Sequence, residues 1–150
     1  MTNLIKQTVI LLSLIASGAS AQTNPPRNIF FGFDFLLQPI AIKWACGGQP
    51  DHDLAAIEAL IAAFPKDAEL AGLQAHLDAM TEVSEGKAGL SVILGGELAS
   101  DQAERLCGAA KTLSIAWATP EQIANDDNEG IPPEQRAAWE EFWRVVEGLQ

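Results

Sequence analysis

Apolar residues recur along this chain at helical spacing, and proline, glycine and acidic clusters mark where each run starts and stops. The clearest stripe is Leu54, Ile57, Leu60, Ile61 and Phe64, steps of three and four that fall on one helical face. Pro65 ends it, and Asp51 or Asp53 is placed to cap its start. A second stripe of Leu70, Leu73, Leu77 and Met80 begins near Asp67, with acidic residues in its first turn, and stops around Gly86. The turn at Pro65-Lys66 is short, so the two stripes predict an αα-hairpin. Upstream, Pro39 suits the first turn of a helix over Ile40–Cys46 that Gly47-Gly48 stops, with Trp44 one turn beyond Ile40 on the same face.

The second half repeats the theme. Asp101 and Glu104 form a capping-box-like start ahead of a stripe of Ala103, Leu106, Cys107, Ala110, Leu113 and Trp117. Thr119-Pro120-Glu121-Gln122 supplies a cap, a proline at the first helical position and a glutamine three residues on, so a short helix follows. Pro132-Pro133 opens the last helix, whose stripe is Trp139, Phe142, Trp143, Val146 and Leu149. Between Gly86 and Ser100 the pattern is mixed. Leu90, Ile93 and Leu94 have helical spacing, four glycines weaken any helix, and Val92-Ile93 would suit a strand; a short, weak helix is expected. No period of twenty to fifty residues recurs. The expected fold is all-α: five or six short helices around one core, with a single disulfide, preceded by a cleaved signal peptide.

That signal is read from the first twenty-one residues. Lys6 precedes an apolar run from Thr8 to Ile15, and Ala19-Ser20-Ala21 precedes Gln22. A small-x-small site after so short a run fits a secretory leader, and the run is too short to span a bilayer. The expected division is a signal peptide at 1–21 and one helical domain at 22–150, with Pro25-Pro26 in a polar lead-in. The expected destination is the periplasm or the exterior. Neither cysteine stands at the cleavage point, which argues against a lipid anchor. From Ile29 to Cys46 the chain is apolar enough to look membrane-like, but Asp34, Gln38, Pro39 and Lys43 interrupt it, so a buried core element is expected and no membrane span after cleavage.

Export changes the reading of Cys46 and Cys107. An even pair in an oxidising compartment predicts a disulfide, and there is no C-x-x-C motif to suggest redox catalysis. Loss of the leader removes Lys6 from the nine basic side chains, leaving eight against twenty acidic ones and a net charge of −12. Such a surface repels nucleic acid and anionic membranes, so neither is an expected partner.

Candidate chemistry is sparse. Asp51-His52-Asp53 is the densest polar triplet, but His76 is the only other histidine and no second cluster completes a metal site, so helix capping explains the triplet. An EF-hand loop started at Asn125 would place Gly130 correctly at its sixth position but puts Arg136 where a bidentate glutamate is required. Ser84, Ser91, Ser100 and Ser114 lack a nucleophile-elbow context, and Gly95-Gly96 lacks the lysine of a phosphate loop. Glu140-Glu141 and Asp126-Asp127 are sequence neighbours, which diverge on a helix and make poor acid–base pairs. No enzyme class, metal or cofactor is expected.

The aromatic residues are the remaining lead. Phe30, Phe31, Phe33 and Phe35 crowd the mature N-terminus and are the interaction candidates, because exposed rings mark contact surfaces. The tryptophans, on helical stripes, are expected in the core. The expected function is a non-catalytic interaction module with an unknown protein partner in the periplasm. One alternative is a binder of a small apolar ligand held near Phe33 and Trp44. The other is an acid-stress periplasmic chaperone, to which the chain is similar only in being small, helical and closed by one disulfide.

Overall fold

The computed structural model of the protein describes residues 28–150. The signal peptide expected at 1–21 and the lead-in expected up to residue 27 lie outside the described residues. Among those described, seven helices follow one another without a strand: α1 Asp34–Ala45, α2 Asp51–Ala63, α3 Leu70–Ser84, α4 Leu90–Leu94, α5 Ser100–Ala110, α6 Pro120–Asn125 and α7 Pro133–Glu147. The all-α expectation holds, but the count exceeds five or six because the glycine-rich segment after Gly86, expected as no more than a weak helix, closes as α4. Gly95 ends α4 in the left-handed region (φ 69°), where a glycine carries no Cβ penalty. Thr119 starts α6 as expected: its hydroxyl accepts from the Gln122 N–H, and the Gln122 side chain accepts from the Thr119 N–H.

α1 is the centre of the molecule. It packs along α3 and against α4 and α5, while α5 lies along α7 and α2 meets α6. The sequence expectation started this helix at Ile40, with Pro39 in its first turn; it starts six residues earlier, and Pro39 is inside it. An interior proline leaves the carbonyl of the residue four before it without a helical donor. Burial offsets that loss, since Leu37, Pro39, Ile40, Ala41, Ile42 and Trp44 are all buried. A helix apolar nearly all round belongs inside a core. Among the described residues no helix is long and apolar enough to cross a membrane.

α2 and α3 do not form the expected hairpin. Six residues, 64–69, separate them, and each helix packs on a different neighbour, α3 along α1 and α2 against α6. A short connection makes two helices sequential neighbours, but the apolar stripe on α3 (Leu73, Leu77, Met80, Val83) buries more against α1. α5 differs from expectation at both ends. It begins at Ser100, so Gln102 rather than Glu104 reaches back to the Ala99 N–H (3.1 Å). It ends at Ala110, and Leu113, Ile115 and Ala118 enter the core from a non-helical link instead of continuing the stripe to Trp117.

Gln135 of α7 fastens that link, accepting from the Ser114 N–H (2.8 Å) and donating to the Thr112 carbonyl (2.9 Å). The Ser114 carbonyl also receives the indole N–H groups of Trp117 (2.7 Å) and Trp139 (3.3 Å). Cys46, just after α1, is bonded to Cys107 in α5, with the two Cα atoms 5.5 Å apart. The bridge therefore fastens the central helix to the α5–α7 pair. A formed disulfide fits an oxidising compartment.

Candidate functional site

The aromatic N-terminal segment resolves into two inward and two outward rings. Phe30 and Phe33 are buried, packed edge-to-face with centroids 5.5 Å apart, and Phe30 also meets Phe64 at 6.1 Å. Phe31 and Phe35 are 77% and 69% exposed. The alternation follows from the backbone. Turn bonds from Phe31 N–H to the Asn28 carbonyl and from Phe33 N–H to the Phe30 carbonyl coil the segment ahead of α1. Gly32 takes φ 74° between them, a left-handed conformation that L side chains rarely adopt. The Asp67 carboxylate accepts the Ile29 N–H at 2.7 Å and pins the segment to the loop before α3. The outward rings are thus carried on an anchored support, and Phe35 has a single aromatic neighbour, Trp143 of α7, at 6.3 Å.

This division has a measurable consequence. Phe30→Ala and Phe33→Ala should each cost about 3–5 kcal/mol, the usual range for emptying a buried aromatic site. Phe31→Ser and Phe35→Ser should each stay within about 1 kcal/mol of the parent, because little area is removed from the interior. Urea titrations of the four variants check both halves. Equal losses at all four positions would contradict the inward–outward assignment.

The Asp51-His52-Asp53 triplet divides in the same way. Asp51 and His52 are exposed, whereas Asp53 is wholly buried. Neither aspartate caps α2: Pro50 occupies the cap position without a side-chain bond, and Asp53 lies in the first turn with its carboxylate turned into the core. One carboxylate oxygen receives the Ile115 N–H at 3.0 Å and the Ser114 hydroxyl at 3.2 Å. The other receives the Lys43 ammonium at 2.6 Å and the Trp44 indole N–H at 3.4 Å. Four donors from α1 and from the link after α5 therefore converge on one side chain of α2. The positive end of α2 adds favourable potential. All donors are matched, and among the described residues no buried side-chain polar atom lacks a partner. Such a carboxylate has no free lone pair for acid–base work; it cross-links three parts of the fold.

Sequence reasoning missed this hub. The available signal was Lys43, a single ammonium within the otherwise apolar run from Pro39 to Cys46, which demands an acidic partner wherever that run is buried. The acidic loop after α6 is self-satisfied: the Asp127 carboxylate accepts from the N–H groups of Glu129 (3.0 Å) and Gly130 (3.1 Å). His76 lies exposed on α3 with its Nδ1 at 2.9 Å from the Gly72 carbonyl. Among the described residues no three His, Cys, Asp or Glu side chains group as metal ligands.

Open clefts border α1 on several sides. One of about 330 Å³ is lined by Pro39, Ile42, Leu94, Leu106, Phe142 and Trp143. Another of about 410 Å³ lies where α1, α3 and α4 meet, and a third of about 220 Å³ adjoins it beside Phe31 and Gly32. No protein-family model matches this chain, and no curated protein or solved structure matches it either.

Proposed function

We propose that this protein is a non-catalytic interaction module of the periplasm that captures a protein partner through Phe31 and Phe35. The observation that carries this reading is the pairing of opposites within one anchored segment. Phe30 and Phe33 consume their apolar surface in the core, while Phe31 and Phe35, two residues from Phe33 on either side, hold theirs in water. Rigid, exposed aromatic rings lose little conformational freedom on binding and are the residues that dominate interface energetics. The acidic balance of the chain, twenty carboxylates against nine basic groups, favours a partner with a basic surface.

The full engagement of Asp53 supports the non-catalytic part of the reading, because the one buried charged side chain among the described residues is occupied structurally. The apolar-ligand alternative required room near Phe33 and Trp44. Phe33 borders two open clefts, of about 220 and 380 Å³, whereas Trp44 is buried with its indole directed at Asp53 and lines neither, so the two residues do not share one site.

The test is affinity capture from periplasmic extract with the parent protein and a Phe31→Ser/Phe35→Ser variant, after melts show that both are folded. A specific protein should be retained by the parent and lost, at least tenfold, from the variant. Equal retention by a folded variant would overturn the assignment of these two rings.

A further inference from the structure

The two clefts on the α3 side of α1 share Asp34, Leu37 and His76 and so adjoin along α3 as one groove, with exposed His76 where they meet. Its α3 wall runs from Glu69 to Val83, about 21 Å at 1.5 Å per residue. The floor is apolar, with Leu37, Met80 and Val83 all buried. The charged residues lining it are Asp34, Glu69 and Glu82, and neither a lysine nor an arginine lines either cleft. Lys87, just beyond the end of α3, is paired with Glu85, whose hydrogen bond and charge raise the lysine's pKa; it lines neither cleft. Two of the largest exposed apolar side chains stand at opposite ends, Phe31 beside Gly32 and Val92 (70% exposed) on α4.

We infer that this groove receives a basic amphipathic helix of a protein partner, about four turns long, lying along α3. The inference rests on the proposed interaction role and names the chemistry of the partner. Apolar side chains on one face of such a helix would cover the Leu37–Met80–Val83 floor, with Phe31 and Val92 closing over its two ends. Lysine or arginine on its flanks would meet Asp34, Glu69 and Glu82. A helix laid in an apolar groove reads through anchors at positions i, i+3, i+4 and i+7, and a groove of this length accommodates such a set. The carboxylate rim gives sign selectivity and a salt-dependent association rate.

The experiment uses three fluorescent fourteen-residue peptides: a leucine–lysine amphipathic helix, the same sequence with glutamate for lysine, and a scrambled lysine peptide of equal charge. Fluorescence polarisation should show the amphipathic lysine peptide binding at least tenfold tighter than either control. Asp34→Asn/Glu69→Gln/Glu82→Gln should weaken it about tenfold or more. Val92→Asp, at a 70% exposed site, gives an independent reading: a carboxylate where peptide leucines dock should weaken the amphipathic lysine peptide severalfold in spite of the added negative charge. Binding of the scrambled peptide as tight as the amphipathic one, or no change in the carboxylate and Val92 variants, would overturn the inference. Self-association of the parent that Val92→Asp abolishes would likewise overturn it and assign the groove to a second copy of this chain. Loss of peptide selectivity while a partner is still captured through Phe31 and Phe35 would reject the groove and leave the broader reading standing.

Discussion

Asp53→Ala should destabilise the protein by about 3–5 kcal/mol, the range for removing one member of a buried ion pair. The substitution strands Lys43 beside an apolar core and leaves the Ile115 N–H and the Trp44 indole without their acceptor. Each buried donor left without a partner adds a desolvation penalty of its own. Asp53→Asn should cost less, because it keeps the shape and one carbonyl acceptor. Lys43→Ala should cost least, since Lys43 is 13% exposed and the remaining donors still hold the carboxylate. Urea midpoints at constant slope give the ranking directly. An Asp53→Ala variant within 1 kcal/mol of the parent would mean that the convergence on Asp53 is incidental.

Removal of the Cys46–Cys107 bridge is the second large effect. It closes a loop of sequence separation 61, for which the chain-entropy model gives roughly 4 kcal/mol of stabilisation. Against the 5–15 kcal/mol by which domains of this size are typically stable, that is a large fraction. Reduction, or Cys46→Ser/Cys107→Ser, should therefore lower the melting temperature by many degrees and steepen the urea dependence as the unfolded chain expands. Unfolded, unreduced protein should show no titratable thiol. An unchanged melt after complete reduction would contradict the structural role given to the bridge.

Much of this architecture was legible because helix signals are local. Pro65, Thr119-Pro120 and Pro132-Pro133 mark their boundaries through proline geometry and capping, which depend on a few neighbouring residues. The disulfide was legible in an even cysteine count combined with the expected export signal. What failed depends on contacts distant in sequence. From Pro39 to Trp44 α1 is buried on nearly every side, so its apolar residues have no single stripe from which to read a start, and interior Pro39 imitates a first-turn proline. Asp53 occupies a position where a cap and a core carboxylate give the same local pattern; its partners Ser114 and Ile115 are 61 and 62 residues away. The α2–α3 pairing failed because loop length constrains which helices are joined, whereas the most apolar surface available, on α1, decides which ones pack. The phenylalanine segment splits into inward and outward rings on both sides of Gly32, because successive turns coil it ahead of α1, and no periodic stripe announces that coil.

The central claim is that Phe31 and Phe35 form a contact surface for a protein partner. Photo-cross-linking from those two positions tests it most directly, with a benzoylphenylalanine at residue 31, at residue 35, or at exposed Glu58 on α2 as a control, in cells that export the protein. The account predicts one discrete adduct with the same protein from positions 31 and 35 and none from position 58. No adduct from either aromatic position, or the same adducts from all three, would contradict it.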